Sequence, residues 1–228
     1  LTGFGINDSI AGFADRQYDE IQILDGTLTL AESIDDQEET DASAENEQTD
    51  QQGAAQAGSE SATAGDLYDK LDKYMQNYDF ASETSWDLVE SDGIKSINLV
   101  IMKEPEHSGK YMNFHNSKNE EIAYPGKDEA VINNALADLY DLSVGDTITI
   151  RNSDMKEIKV KISGIFENHV YNYVYLSPET YVDQMGETPE YHSIYFNLKS
   201  DMDAHEVSAD LMKETVVSSV IVNKDMRE

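Results

Sequence analysis

Cysteine is absent from the 228 residues, which excludes disulfides, thiolate metal sites and cysteine nucleophiles together. Positive charge is scarce: 16 Lys and Arg stand against 46 Asp and Glu, a formal net charge of -30. Nucleic acids and anionic membranes bind through clustered cations that displace counterions, so no nucleic-acid partner is expected. No window approaches the ~20 apolar residues that span a bilayer. An initiator Met and the basic-then-apolar layout of a signal peptide are missing too; the chain begins LTGFGINDSI and reads as a piece of something longer.

The motifs of chemistry are equally sparse. His205-Glu206 has no second His one turn later, as a zinc HExxH would need, and His115 and His169 stand alone. Gly3-Phe4-Gly5 lacks the third glycine and the preceding strand of a dinucleotide fingerprint. Ser153 to Lys156 fits SxxK but falls in a hairpin turn without the companion motifs of a serine acyl-enzyme, and neither GxSxG nor a P-loop occurs. The acidic stretch has no glycine at the sixth position of a calcium loop. The expectation is a chain without a catalytic centre, a cofactor or a metal site.

At this length the chain is one domain or two closely joined subdomains. Leu1, Phe4, Ile6, Ile10 and Phe13 recur at helical spacing, which suits either a helix docking on its own domain or the continuation of a transmembrane helix. Residues 17–69 carry 15 acids and no Lys, Arg or His, half of the net charge. Their middle is poor in aromatic and β-branched residues and cannot offset the entropy of ordering, so residues 32–65 are expected to be a flexible acidic insertion.

Around that insertion the patterning is regular. EIQILDGTLTL alternates as one strand or as two joined at Asp25-Gly26; DLYDKLDKYMQNYD places Leu67, Leu71, Tyr74, Met75 and Tyr78 on one helical face; IKSINLVIM reads as a buried strand. The same order returns in YHSIYFNLK, AHEVSADLMKE and VVSSVIVN. Two βαβ-like units thus bracket the chain, and an α+β fold with a split-βαβ sheet and a β-rich insert follows. The boundaries expected are a stalk over 1–15, a sheet subdomain over 16–103 plus 188–228, and the insert over 104–187. Within the insert a polar loop precedes EAVINNALADLYDLSVGDTITI, which reads as strand, helix, Gly-Asp turn and strand. TITIRNSDMKEIKVKISGI is a hairpin with Ile148, Ile150, Ile158, Val160 and Ile162 facing inward, and Ser177-Pro178 starts a helix that Gly186 ends. In NHVYNYVYLSPETY, Tyr171, Tyr173 and Tyr175 alternate on one strand face, either as a partner-binding stripe or as packing between lobes.

Taken together, LTGFGINDSI, EAVINNALADLYDLSVGDTITI, VKISGIFENHVYNYVYLSPETY and SSVIVNKDMRE resemble the extracytoplasmic domain of FtsX-like, MacB-type ABC transporter permeases. The resemblance implies that a transmembrane helix leads into LTGFGINDSI, making Phe4, Ile6, Ile10 and Phe13 part of a stalk, and that DMRE precedes the next such helix. It implies a porter-like sheet subdomain and a β-rich second subdomain on the outer face of the cell membrane. It also implies a separate cytosolic ATPase subunit, a second permease copy or half, and an extracellular peptide, lipid or protein ligand of unknown identity. On this reading the domain is a lever or sensor rather than an enzyme. The acidic insertion departs from the family pattern. A stand-alone extracellular binding module is the alternative; a hydrolase comes last, because the residues it would require are missing.

Overall fold

The computed structural model describes residues 23–32, 64–90 and 93–223. The stalk residues Phe4, Ile6, Ile10 and Phe13, and nearly all of the acidic insertion, lie outside them.

Strands β1 (Gly26–Leu30), β2 (Met75–Glu90), β8 (Ser193–Leu198) and β9 (Val217–Val222) form a four-stranded antiparallel sheet in the order β9-β1-β8-β2. Helix α1 (Ala64–Tyr74) joins β1 to β2, and α4 (Ala204–Leu211) joins β8 to β9, which is the split-βαβ arrangement. Both helices cover the face that carries Leu28, Leu30, Ile194 and Phe196, burying Leu67, Leu71, Val207 and Leu211 against it. Asp203 caps α4 by accepting the Glu206 amide at 2.9 Å.

Two expectations fail in this sheet. The helix extrapolated to Tyr78 stops at Tyr74, and β2 begins at once. Tyr78 pairs with Phe196 and Phe80 with Ile194, cross-strand aromatic and aliphatic contacts that outweigh helical spacing. The second strand of the first unit is therefore β2, whereas IKSINLVIM forms β3 (Gly93–Met102) and pairs with β2 and with a later strand, never with β1 or β8.

Beyond the sheet, β2 continues into a ring. β4 (Glu129–Asn133), β5 (Thr147–Arg151), β6 (Glu157–Phe166) and β7 (Tyr173–Leu176) complete the cycle β2-β3-β7-β4-β6-β5, and β5 closes onto β2 at Asp87 and Leu88. The interior holds Leu88, Ile97, Leu99, Ile132 and the five hairpin residues predicted to face inward. β4 and β7 run antiparallel, so the helices that follow them, α2 (Asn134–Tyr140) and α3 (Pro178–Met185), sit at opposite ends of this barrel. Leu136 and Ala137 of α2 and Tyr181 and Met185 of α3 pack on the barrel core. Ser177 caps α3 through the Thr180 amide and Gly186 ends it at φ 76, both as the sequence indicates.

The segment expected to be a polar loop has a hydrophobic underside. After a 3-10 turn (Pro105–Lys110), Tyr111, Met112 and Phe114 are buried with Ala81, Val100, Val131, Phe166, Tyr175 and Tyr195. Residues 103–124 thus form a strap over the outer face of the barrel and onto the sheet.

Candidate functional site

Strand β2 is the spine of the molecule: residues 75–81 belong to the sheet and 81–90 to the barrel. It connects the two halves, as do residues 103–124.

The strap is fastened at both ends. On the barrel, the Tyr124 hydroxyl accepts the Met102 amide and donates to the Leu176 carbonyl, both at 3.0 Å. Phe114 seats its ring 4.7 Å from that of Tyr175 and 4.9 Å from that of Phe166. On the sheet, Tyr111 packs on Tyr195, and its carbonyl accepts the Ile23 amide at 3.0 Å. Asn197 donates to the Lys110 carbonyl at 2.9 Å.

Ile23 stands at the entry of a dense node. The Asp25 amide is shared between the Phe196 carbonyl and Asn197 Oδ1, Asp25 Oδ2 accepts the Leu198 amide at 2.9 Å, and the Asp25 carbonyl accepts the Asn223 amide at 2.7 Å. Gly26 opposite Val222 completes the join, and a Cβ there would lie 2.5 Å from the Ile221 carbonyl oxygen. Asp25 and Asn223, near the two ends of the described residues, therefore lie side by side, with the strap bonded at Ile23.

Asp79 lies beneath the strap, 4 % exposed, and Tyr111 of the strap itself is fully buried. Asp79 Oδ1 accepts the Phe80 amide at 2.7 Å, while Asp79 Oδ2 and the Tyr111 hydroxyl have no hydrogen-bond partner among the described residues. Burial pushes the Asp79 carboxyl up to about 6; the Phe80 amide, His107 and the Glu104 backbone pull it down, while the Glu104 charge adds to the rise. The densest ionic cluster elsewhere is structural: Lys70 of α1 bridges Asp210 at 3.2 Å and Glu214 at 2.5 Å near α4. The Tyr74 hydroxyl and the Lys213 and Lys70 ammoniums hold the Asp210 carboxyl well below the usual range.

The tyrosine stripe is divided by the fold. Tyr175, 2 % exposed, lies in the core beneath the strap and is withdrawn as a partner contact: its ring is covered by Phe114 and Phe166. Tyr173 is half-buried beside it, with ring centroids 6.1 Å apart. Tyr171 precedes β7 at φ 58 and is 70 % exposed. Its loop is held by buried Asn133, whose Nδ2 donates to the carbonyls of Asn168 and Tyr171 at 2.8 Å and whose Oδ1 accepts the Tyr173 amide at 2.9 Å. Sequence reading passed over Asn133; its only signal was a polar side chain ending an apolar strand. The same holds for Tyr111, Met112 and Phe114, whose apolar spacing was masked by charged neighbours.

Open grooves of about 500 and 520 Å³ lie along the strap, and one of about 670 Å³ lies on the spine between residues 82–86, the β5–β6 turn and residues 187–190. Among the described residues no group of three or more His, Asp or Glu could hold a metal, and no helix is long and apolar enough to cross a membrane.

Residues 32–214 match the family of MacB-like periplasmic core domains. No curated protein matches the chain. Among solved structures, the periplasmic region of MacB from Actinobacillus actinomycetemcomitans aligns at 10% identity and a TM-score of 0.47, over 89% of this chain and 90% of that one. The extracellular domain of the noncanonic ABC-type transporter YknZ from Gram-positive bacteria aligns at 13% identity and 0.47, over 86% and 98%. A domain of a permease protein described as putative, from Porphyromonas gingivalis, aligns at 14% and 0.37, over 61% and 68%. On the family match, which spans well over half its length, the chain belongs to the MacB-like periplasmic core domains and is an extracytoplasmic domain of an ABC transporter permease.

Proposed function

We propose that the domain works as a stiff lever: transmembrane segments on either side of it are displaced when a separate cytosolic ATPase binds and hydrolyses ATP, and the domain passes that displacement to a ligand or partner outside the membrane. The observation that carries this reading is the node at Asp25. Asp25 and Asn223, close to the two ends of the described residues, are bonded side by side, which supports membrane connections on one side of the body. From that point, displacement has two bonded routes to the barrel, along β2 and through the strap. Coupling over distance needs contiguous, rigid elements with few arrangements, and both routes meet that demand. A second permease copy or half would complete the assembly. Tyr171 and the exposed apolar Leu139 and Val144 offer the barrel's contact surface to an extracellular peptide, lipid or protein.

The test uses the full permease with its ATPase in lipid nanodiscs, spin-labelled through Leu139→Cys and Met212→Cys, both at exposed positions. ATP turnover is expected to change the distance from residue 139 to a headgroup-anchored label while the 139–212 distance stays constant. A residue-to-bilayer distance that stays fixed through turnover overturns the lever.

A further inference from the structure

Between the two halves, one edge of β2 is open. On that edge, pairing with β8 ends at Ala81, opposite Ser193, and pairing with β5 begins at Asp87, opposite Arg151. Over residues 82–86 the strand is paired only with β3 among the described residues. The direction of the unpaired groups follows from the ladder. Lys103 donates to the Phe80 carbonyl, so even-numbered residues of β2 turn their backbone toward β3; Asn98 of β3 donates outward to the Asn172 carbonyl, which gives the same parity. The amides and carbonyls of Glu83 and Ser85 therefore face the gap. Ser85 lines the 670 Å³ groove alongside this edge, whose floor carries Ser82, Thr84 and the buried Trp86.

Such an edge is a template for another strand, and proteins leave long ones uncovered at the risk of adventitious pairing. Here the opening is short and bounded at both ends, which admits about three or four residues at ~3.3 Å per residue and no continuous sheet. Its rim is acidic. Lys156 is neutralised by Glu187 at 3.1 Å, Asp154 has no ion-pair partner among the described residues, and Glu190 is matched only by His192 at 3.2 Å.

We propose that this gap is a β-augmentation site for an extended segment of a partner protein, with main-chain pairing to Glu83 and Ser85 and Lys or Arg side chains reaching the rim at Asp154 and Glu190. Occupancy fills the unpaired interval of β2 between β8 and β5. The proposal does not depend on the lever reading, because it concerns binding to the isolated chain.

The probe is the peptide acetyl-Lys-Val-Thr-Val-Lys-amide, titrated into the 228-residue chain and followed by amide exchange in NMR. In the free chain, the Glu83 and Ser85 amides are expected to exchange at least tenfold faster than those of Ser82 and Thr84. The peptide is expected to slow them selectively. Its N-methylated counterpart, blocked at alternate amides on each register in turn, is expected to lose that effect in one register only. Asp154→Lys with Glu190→Lys is expected to weaken binding at least tenfold without altering the fold's spectrum. Glu83 and Ser85 amides already protected in the free chain would mean the edge is filled, and the proposal falls. It falls equally if the peptide leaves them unchanged, or if neither N-methylation nor charge reversal affects binding.

Discussion

Asp79→Asn tests a buried carboxylate at the junction, and its surroundings set both the sign and the size of the effect. An unfolded Asp titrates at 3.8, whereas the folded environment raises Asp79 to about 6, chiefly through burial. Its charged form is therefore disfavoured by folding. Below pH ~4 Asp79 is protonated in both states and burdens neither; as pH rises through 6 the folded protein must ionise a buried carboxyl, and the stability present at low pH is lost. At about 1.4 kcal/mol for each tenfold loss of acidity, the rise sets an upper bound of roughly 3 kcal/mol, and relaxation of the site brings the expected figure to about 2 kcal/mol. The Asn side chain keeps the acceptor for the Phe80 amide and places a donor where Oδ2 stands, within a site shared with the Tyr111 hydroxyl. Asp79→Asn is thus expected to match the parent at pH 4 and to melt higher at pH 7.5, by roughly 4–8 °C for a chain of this length. Calorimetry of both proteins from pH 4 to 8 at constant ionic strength gives the difference at each pH, in which groups titrating alike in both cancel. A difference that is flat with pH, or that shrinks as pH rises, would show that ionising Asp79 carries no such cost.

Two further outcomes follow from packing. Gly164→Ala drives a Cβ into Ile122 Cγ2 on the underside of the strap, so it is expected to cost about 1–3 kcal/mol in urea unfolding, with Ile122→Ala in the same chain recovering part of the loss. Tyr171→Ala is expected to change stability by no more than about 0.5 kcal/mol, whereas Tyr175→Ala, removed from beneath Phe114, is expected to cost about 3–5 kcal/mol. Equal effects at the two tyrosines in the same melts would contradict the division of the stripe.

Local signals in the sequence carried far. The hairpin was legible because Ile148, Ile150, Ile158, Val160 and Ile162 alternate strictly with polar residues across a turn that Asn152 closes on itself, accepting the amides of Asp154 and Lys156. Helix α3 was legible because its cap, its first proline and its terminal glycine are each local chemistry. Ring closure was not, since the pairings of β2 with β5 and of β3 with β7 join residues far apart in sequence and leave no periodic trace. IKSINLVIM shows why: with Ile97, Leu99 and Ile101 facing the barrel and Val100 and Met102 facing the strap, it announces a strand buried on both sides but names neither neighbour. The extension of α1 into β2 misled because Met75 and Tyr78 continue the helical register by coincidence, and only the pairing with β8 decides between them. At the candidate site the exposed Tyr171 and the buried Tyr175 look identical in sequence, because what separates them is cover by Phe114, more than fifty residues earlier in the chain.

The uninterrupted passage of β2 from sheet to ring also limits modularity. An insert grafted between two surface loops can be excised and its host resealed, but here the first strand of the inserted body and the last strand of the host's opening unit are the same sixteen residues. A cut anywhere between Met75 and Glu90 strips rungs from one side or the other, so neither body can be transplanted whole.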